Sequence, residues 1–388
     1  MALPLKYNIR NVFVRWRATL TTILGIALVV AVYMLVQSLA VGLEKSSANT
    51  GDPQNVMVVR KGSTAESSSL VTREQFKSLQ YSPEIARNQN DQPIISADVI
   101  VIINLPRKEL KEGEANVLVR GISRAGVELR PQVKLIQGRW FVPGKREVVV
   151  SHRISKRFAN LNIGDSFKSG PSTFTVVGWL DGGNSAFDSE TWMDADECRA
   201  IFDREMYSSL LIRPTNGGAR AALIKRIEED KRLQLRAFTE VEYYKKQTMT
   251  ATPIKWLGDF LATAMSIGAI FAAMNTMYAS VGARAREVGT LRVLGFRRRT
   301  IVFSFLLEGA FLALLGGVLG VLISLRWNGL VTGTMGFESF SETIFQFTIT
   351  PWLALKGLMF SVLVGLAGTL FPALRAARLP VIAALRSV

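Results

Sequence analysis

Four apolar runs divide the chain, and a long polar stretch separates the first run from the other three. Residues 19–43 carry no charge. Residues 256–281 carry only Asp259, residues 301–325 only Glu308, and residues 352–371 only Lys356. A helix rises about 1.5 Å per residue, so each run is long enough to cross about 30 Å of hydrocarbon. The pattern predicts four membrane helices. The first run is too long for the apolar core of a cleaved signal and follows a structured segment, so it reads as a retained anchor.

That preceding segment has helical periodicity. Leu5, Ile9, Val12, Phe13 and Trp16 share one face, while Lys6, Arg10, Arg15 and Arg17 take the others. Residues 1–18 therefore predict an amphipathic helix lying in the headgroup region. A simple extension of the first span is the competing reading.

Residues 44–255 have the punctuation of a folded α+β domain. Strands, most of them rich in Val and Ile, are expected at 56–60, 99–105, 116–121, 147–151, 173–180, 208–213 and 234–238. Helices are expected at 72–79, 154–160, 195–206 and 218–231. Thr72 and Gln75 have the spacing of a capping box. Residues 208–238 read as a β-α-β unit. The apolar stretch 94–105 is short and holds Asp98, which predicts a buried strand rather than a span. Residues 238–255 predict a helix leading into the membrane. Glu240, Glu242, Lys245 and Lys246 are expected to keep it wet, with Tyr243, Tyr244 and Trp256 at the interface. On the remaining segments, 282–300 is an inner loop, 326–351 an outer loop and 372–388 an inner tail.

Charge sets the orientation. The 388 residues carry a formal net charge of +16, and 48% of them are hydrophobic. Residues 44–255 hold a net +6, so the remainder holds a net +10 clustered about the apolar runs. The three inner segments hold 4, 6 and 3 Lys and Arg, whereas the short outer parts keep only Arg326 and Lys356. Both termini and residues 282–300 are therefore expected in the cytoplasm, with 44–255 outside. Basic residues flanking apolar runs, with no aromatic-rich basic face, suit anionic lipid rather than nucleic acid.

The densest cationic stretch is 283–301, with Arg284, Arg286, Arg292, Arg297, Arg298 and Arg299. Val288, Leu291, Leu294 and Gly295 fall on one side of a helix here. The stretch predicts a short cationic helix at the membrane face that offers an apolar ridge to a partner. An ordinary solvated basic loop is the plain alternative. In the third span, Gly309, Gly316, Gly317 and Gly320 leave a smooth strip, with GxxxG spacing at Gly316 and Gly320. Such strips let helices approach closely, within one chain or between two. Glu308, an ionisable group inside a span, is a candidate for a structural or coupling role.

These residues resemble the FtsX/MacB-like family of ABC transporter permeases. Glu287, Gly289, Leu291, Arg292, Leu294 and Gly295 match its cytoplasmic coupling loop, and Glu308 and Gly309 match a motif like F-L-L-E-G-A. Pro372, Ala373, Ala376, Ala377, Pro380, Ala384, Leu385 and Arg386 match its ending, and the stretch around 138–180 resembles the inserted lobe of its outer domain. The resemblance implies four transmembrane α-helices and a two-lobed α+β extracytoplasmic domain inserted between helices 1 and 2. It implies a bacterial inner-membrane subunit that couples ATP hydrolysis to conformational work on a lipoprotein, peptide, drug or envelope component. An FtsX-like regulator of an envelope partner, without transport, is the alternative. The implied partners are an ABC ATPase subunit, a second permease subunit in a homodimer or heterodimer, and a periplasmic adaptor. Arg284 and Arg286 join the six matched loop residues as the implied docking site.

Catalytic signatures are missing. No G-x-x-x-x-G-K-[ST] occurs: Gly138 and Gly144 are too far apart, and Lys145 precedes Arg146. With one Cys (Cys198) and one His (His152), the chain holds no disulfide framework or Cys/His metal site of its own. The subunit is expected to bind no cofactor and to be non-catalytic, with ATP held by a separate ATPase.

Overall fold

A computed structural model describes residues 16–108, 113–248, 252–335 and 341–379. The expected amphipathic helix lies almost wholly outside the described residues, as does the family-like ending from Pro380 onward. Helix α1 (Trp16–Thr50) comes first, then β1 (Val56–Arg60), α2 (Arg73–Gln80), β2 (Ile95–Pro106) and β3 (Glu114–Ile122). Next are α3 (Arg124–Glu128), β4 (Lys134–Gly138), β5 (Glu147–Ser151), α4 (His152–Arg157), β6 (Ser166–Ser169), β7 (Ser172–Asp181) and β8 (Glu190–Asp194). After α5 (Ala195–Ile201), β9 (Ser209–Ile212), α6 (Gly217–Glu229), β10 (Leu235–Thr239) and α7 (Glu240–Thr248), the chain turns apolar. Helices α8 (Thr252–Ala283), α9 (Ala285–Val293) and α10 (Arg298–Leu325) are followed by β11 (Val331–Met335), β12 (Glu342–Gln346) and α11 (Pro351–Arg378).

Two compact units result. One contains residues 42–252 and 331–346, the other the remaining helices. In the α+β unit, strands run in the order β10-β1-β9-β2-β3-β8-β5-β7-β4, with β6 beside β7. The β3/β8 and β5/β7 pairs are parallel, and the others are antiparallel. Strands β9 and β10 flank β1, and α6 crosses between them, as the β-α-β reading expects. The two lobes share this sheet through β2. Its first residues pair with β9 and its last eight with β3.

Alternation along the strands divides the core into two faces. Val56, Val58, Ile95, Leu210 and Ile212 face Leu79 of α2 with Leu223 and Ile227 of α6. Further along the same face, Val99, Val101, Ile103 and Leu105 meet Val117, Val119, Val148 and Val176. Met57, Val59, Val149, Leu180, Trp192 and Leu211 point to the other face. Each fully buried side chain of this size contributes about 1.5–3 kcal/mol. The capping box at α2 is formed: the Gln75 N–H donates to Thr72 Oγ1 (3.2 Å), and the Thr72 N–H donates to Gln75 Oε1 (2.7 Å).

Two expectations change here. Tyr243 and Tyr244 are core residues of the second face, and Glu240 is fully buried. The expected wet, interfacial helix therefore begins as part of the domain, because one side of α7 closes the sheet. The segment between α10 and α11 contains a paired hairpin, β11–β12, that belongs to the α+β unit.

In the helical unit, α1, α8, α10 and α11 each contain a run long and apolar enough to cross a membrane. Trp256, Phe260, Ile267 and Phe271 of α8 are more than half exposed, an apolar face suited to lipid. Gly309 lies directly against Thr369 of α11, and Gly317 against Ser361. Gly316 and Gly320 take α1: an added Cβ would stand 2.9 Å from the Ile23 carbonyl oxygen and 2.7 Å from that of Ala27. The GxxxG strip thus serves close packing within this chain.

Candidate functional site

Helix α9 is fastened by its first turns. Its N-cap, Arg284, folds inward and is 7% exposed. Arg284 Nη1 donates to Glu308 Oε2 on α10 at 2.8 Å, and its Nε to Glu287 Oε2 at 3.4 Å. The guanidinium carbon lies 5.4 Å from the centre of the Phe305 ring, a cation–π arrangement. Val288 is buried among Met277 and Val281 of α8, Ile301 and Phe305 of α10, and Ala373, Ala376 and Ala377 of α11. Gly289 is buried beside it. Small residues on α11 leave room for the valine, so α9 joins three long helices.

The far end of α9 points outward. Gly295 has φ +89°, a left-handed conformation that L side chains rarely adopt. The Phe296 N–H donates to the Leu291 carbonyl and the Gly295 N–H to that of Arg292, each at 3.1 Å. This is the Schellman arrangement, which ends a helix sharply. The Leu-Gly pair is therefore a stop signal. Val293, the last residue of α9, and Leu294, its C-cap, are 63% and 68% exposed.

The expected apolar ridge is thus divided. Val288 is committed to the core, and Leu291 is half-buried over a cavity of about 20 Å³ beside Ile301 and Phe305. Leu294 is exposed with Val293, a residue outside the expected apolar side. Arg286, Arg297, Arg298 and Arg299 are exposed, and Arg292 is half-buried. Glu308 is 6% exposed and borders a cavity of about 70 Å³ with Thr19, Thr22, Thr276, Ser280 and Thr369. Gly309 lies on the same border, whereas Gly316 and Gly320 are spent on packing against α1. Phe305 escaped the sequence reading because it sits in an ordinary apolar run, whereas Ala373, Ala376 and Ala377, read there only as part of the family-like ending, pack in the core around Val288.

The α+β unit holds a second polar cluster. Arg120, 1% exposed, donates to both oxygens of Glu190 (2.7 Å each) and of Glu66 (2.9 and 3.0 Å), and reaches Asp98 at 3.2 Å. Arg130 also holds Asp98. Burial would raise the Asp98 carboxyl, but Arg130 and Arg120 hold it below its ordinary range. Burial pushes the Glu240 carboxyl up to about 7 and the Cys198 thiol up to about 12. Cys198 is accordingly no nucleophile at neutral pH. Among the described residues, no group of His, Cys, Asp and Glu could hold a metal ion.

The family model of the MacB-like periplasmic core domain matches residues 18–230, more than half of the chain, and that of the FtsX-like permease C-terminal region matches 260–381. The chain belongs to the FtsX/MacB-like family of ABC transporter permeases. It is thus a multi-pass membrane protein whose α+β unit is the family's extracytoplasmic domain. The permease is 37% identical to the macrolide export ATP-binding/permease protein MacB of Pasteurella multocida over 139 residues, 35% of this chain and 20% of that protein. With MacB of Chlorobium luteolum it shares 26% over 401 residues, 95% of this chain and 57% of that protein. It spans less than two thirds of either relative. The crystal structure of the periplasmic region of MacB from Actinobacillus actinomycetemcomitans overlays at TM-score 0.38 and 15% identity, covering 52% of this chain and 94% of that one.

Proposed function

We propose that this permease converts ATP hydrolysis by an ABC ATPase into movement of its extracytoplasmic domain, by mechanical transmission across the membrane. The observation that carries this reading is the two-sided build of α9. Val288 and Arg284 fasten it to α8, α10 and α11, while Val293 and Leu294 remain exposed at its end. A partner that presses on that end moves the long helices with it. The ATPase docks on the exposed apolar end, and Arg286, Glu287 and Arg292 set the rim contacts. In this reading α9 and both termini face the cytoplasm of an inner membrane. A second permease subunit completes the assembly, and a periplasmic adaptor serves the outer domain. The work is done on a lipoprotein, peptide, drug or envelope component, a reading supported by the small number and apolar composition of the spans.

The docking is tested at Leu294. An exposed apolar anchor that enters a groove contributes about 2 kcal/mol or more, against less than about 1 for a rim ion pair. Leu294→Asp should abolish co-purification of the ATPase and its coupled turnover, with Arg286→Ala weakening both only slightly. Leu291→Asp is the poorer probe, since Leu291 also packs against its own chain. Full ATPase binding by Leu294→Asp would remove the support for docking at α9.

A further inference from the structure

The hairpin β11–β12 lies in sequence between α10 and α11, yet it is built into the extracytoplasmic domain. Glu342 opens β12, and its side chain is 4% exposed. Arg107 Nη2 reaches Oε2 at 2.7 Å, and Arg157 Nη2 reaches Oε1 at 2.6 Å. The two arginines come from different elements, just beyond the end of β2 and the end of α4. They are also fixed to each other. Arg107 bridges to Phe158, and the Lys108 N–H donates to the Arg157 carbonyl at 2.9 Å. Two residues on, Ile344 is buried in the main core, and its N–H donates to Ser189 Oγ at 2.6 Å. A plain connecting loop has no need of a buried carboxylate held by two guanidinium groups.

We propose that Glu342 is a positioning residue: it is the grip by which α10 and α11 act on the extracytoplasmic domain. This rests on the coupling reading above and adds a second path to it. The first path runs along the chain through α1 and α7. Helix α9, however, is fastened to α10 and α11 through Glu308, Ile301 and Ala373. Those two helices continue into the hairpin through short segments, 326–330 and 347–350. These segments are cross-bonded, Gly329 N–H to the Phe347 carbonyl (2.9 Å) and Phe347 N–H to the Leu330 carbonyl (3.0 Å). Load arriving at Glu342 passes to Arg107 and so to β2, the strand that runs through both lobes. The Arg107–Glu342 contact is a charge-assisted hydrogen bond, the strong class, and Arg157 adds an ion pair at the other carboxylate oxygen.

The test uses the full chain with its ATPase in nanodiscs. Hydrogen exchange of residues 95–194 is compared with and without ATP plus vanadate. Two variants are made. Glu342→Gln removes the charge and keeps the shape. The other inserts about six Gly and Ser residues after Arg326 and again after Thr348, which slackens the tie and leaves the grip untouched. Both should bind the ATPase and turn over ATP as the unaltered chain does. Both should reduce the nucleotide-dependent exchange difference at β2 and α4 at least about twofold. If Glu342→Gln undocks the hairpin, seen as raised exchange of β12 without nucleotide, the slackened variant decides. An undiminished difference in the slackened variant overturns the proposal. Absence of any nucleotide-dependent difference in the unaltered complex overturns the coupling reading itself, a separate result.

Discussion

Arg284 and Glu308 stand 24 positions apart in the chain and meet at 2.8 Å, Nη1 to Oε2, where both are at least nine-tenths buried. The pair locks the N-cap of α9 to the third turn of α10. Removing one partner of a buried pair leaves an uncompensated charge and costs about 3–5 kcal/mol, whereas removing both costs much less. Arg284→Met alone should therefore lower the melting temperature of the purified protein more than the double variant with Glu308→Leu does. Thermal melts of the three proteins in detergent measure this. A double variant that melts below Arg284→Met would mean that the two side chains do not depend on each other.

Glu240 makes the extracytoplasmic domain pH-dependent. Its Oε2 accepts from the Asp52 N–H (2.9 Å) and from Asn55 Nδ2 (2.8 Å), joining the chain after α1 to the start of α7. Its carboxyl is raised from 4.5 to about 7, burial being the largest cause. Between those values the folded chain holds a proton that the unfolded chain releases. This contribution is present in full below about pH 4.5, declines as pH rises to about 7, and is gone above that. At about 1.4 kcal/mol per pKa unit, the loss is on the order of 3 kcal/mol. Glu240→Gln, which imitates the protonated form, should match the unaltered domain at pH 5 and be more stable at pH 8. Denaturant melts at the two pH values check this. A Gln variant that is less stable at pH 8 would show that the ionised carboxylate is the stabilising form.

The boundaries of the domain set a third expectation. A fragment of residues 55–239 includes every strand from β1 to β10. It omits Glu240, Tyr243 and Tyr244 of α7, and Ile344 and Glu342 of the hairpin. Losing two tyrosines and an isoleucine from the core uncovers apolar surface worth several kcal/mol, at about 1.5–3 kcal/mol for each large side chain. The fragment should melt well below a version that carries 42–248 and residues 331–346 joined by a linker. Circular dichroism of both gives the comparison. Equal melting temperatures would mean that α7 and the hairpin add nothing to the core.

Local patterns were enough for much of this protein. Apolar runs of membrane length predict helices because an unpaired backbone cannot remain in hydrocarbon. Short Val-rich runs predict β1, β5 and β7 because β-branched side chains fit the pleated, buried surface of a strand. The Thr72–Gln75 box is likewise local, since it closes hydrogen bonds within a few residues. The family, too, was legible, because its motifs fall in such stretches. Distant pairings were another matter. Strands β4, β6, β8, β11 and β12 are short and weakly alternating, and their neighbours in the sheet supply the pairing. Tyr243 and Tyr244 have the composition of a membrane interface, and only the closed sheet beneath α7 makes them core. The ridge on α9 was visible as a periodicity, but α10 and α11 decide which residues are used up: Val288 is covered and Leu294 is not. Glu342 is one acidic residue in a short connection until Arg107 and Arg157 meet it. A sequence determines what each segment prefers within reach of its own backbone; which charge finds which partner across 24 or 235 residues is decided by how the whole chain packs.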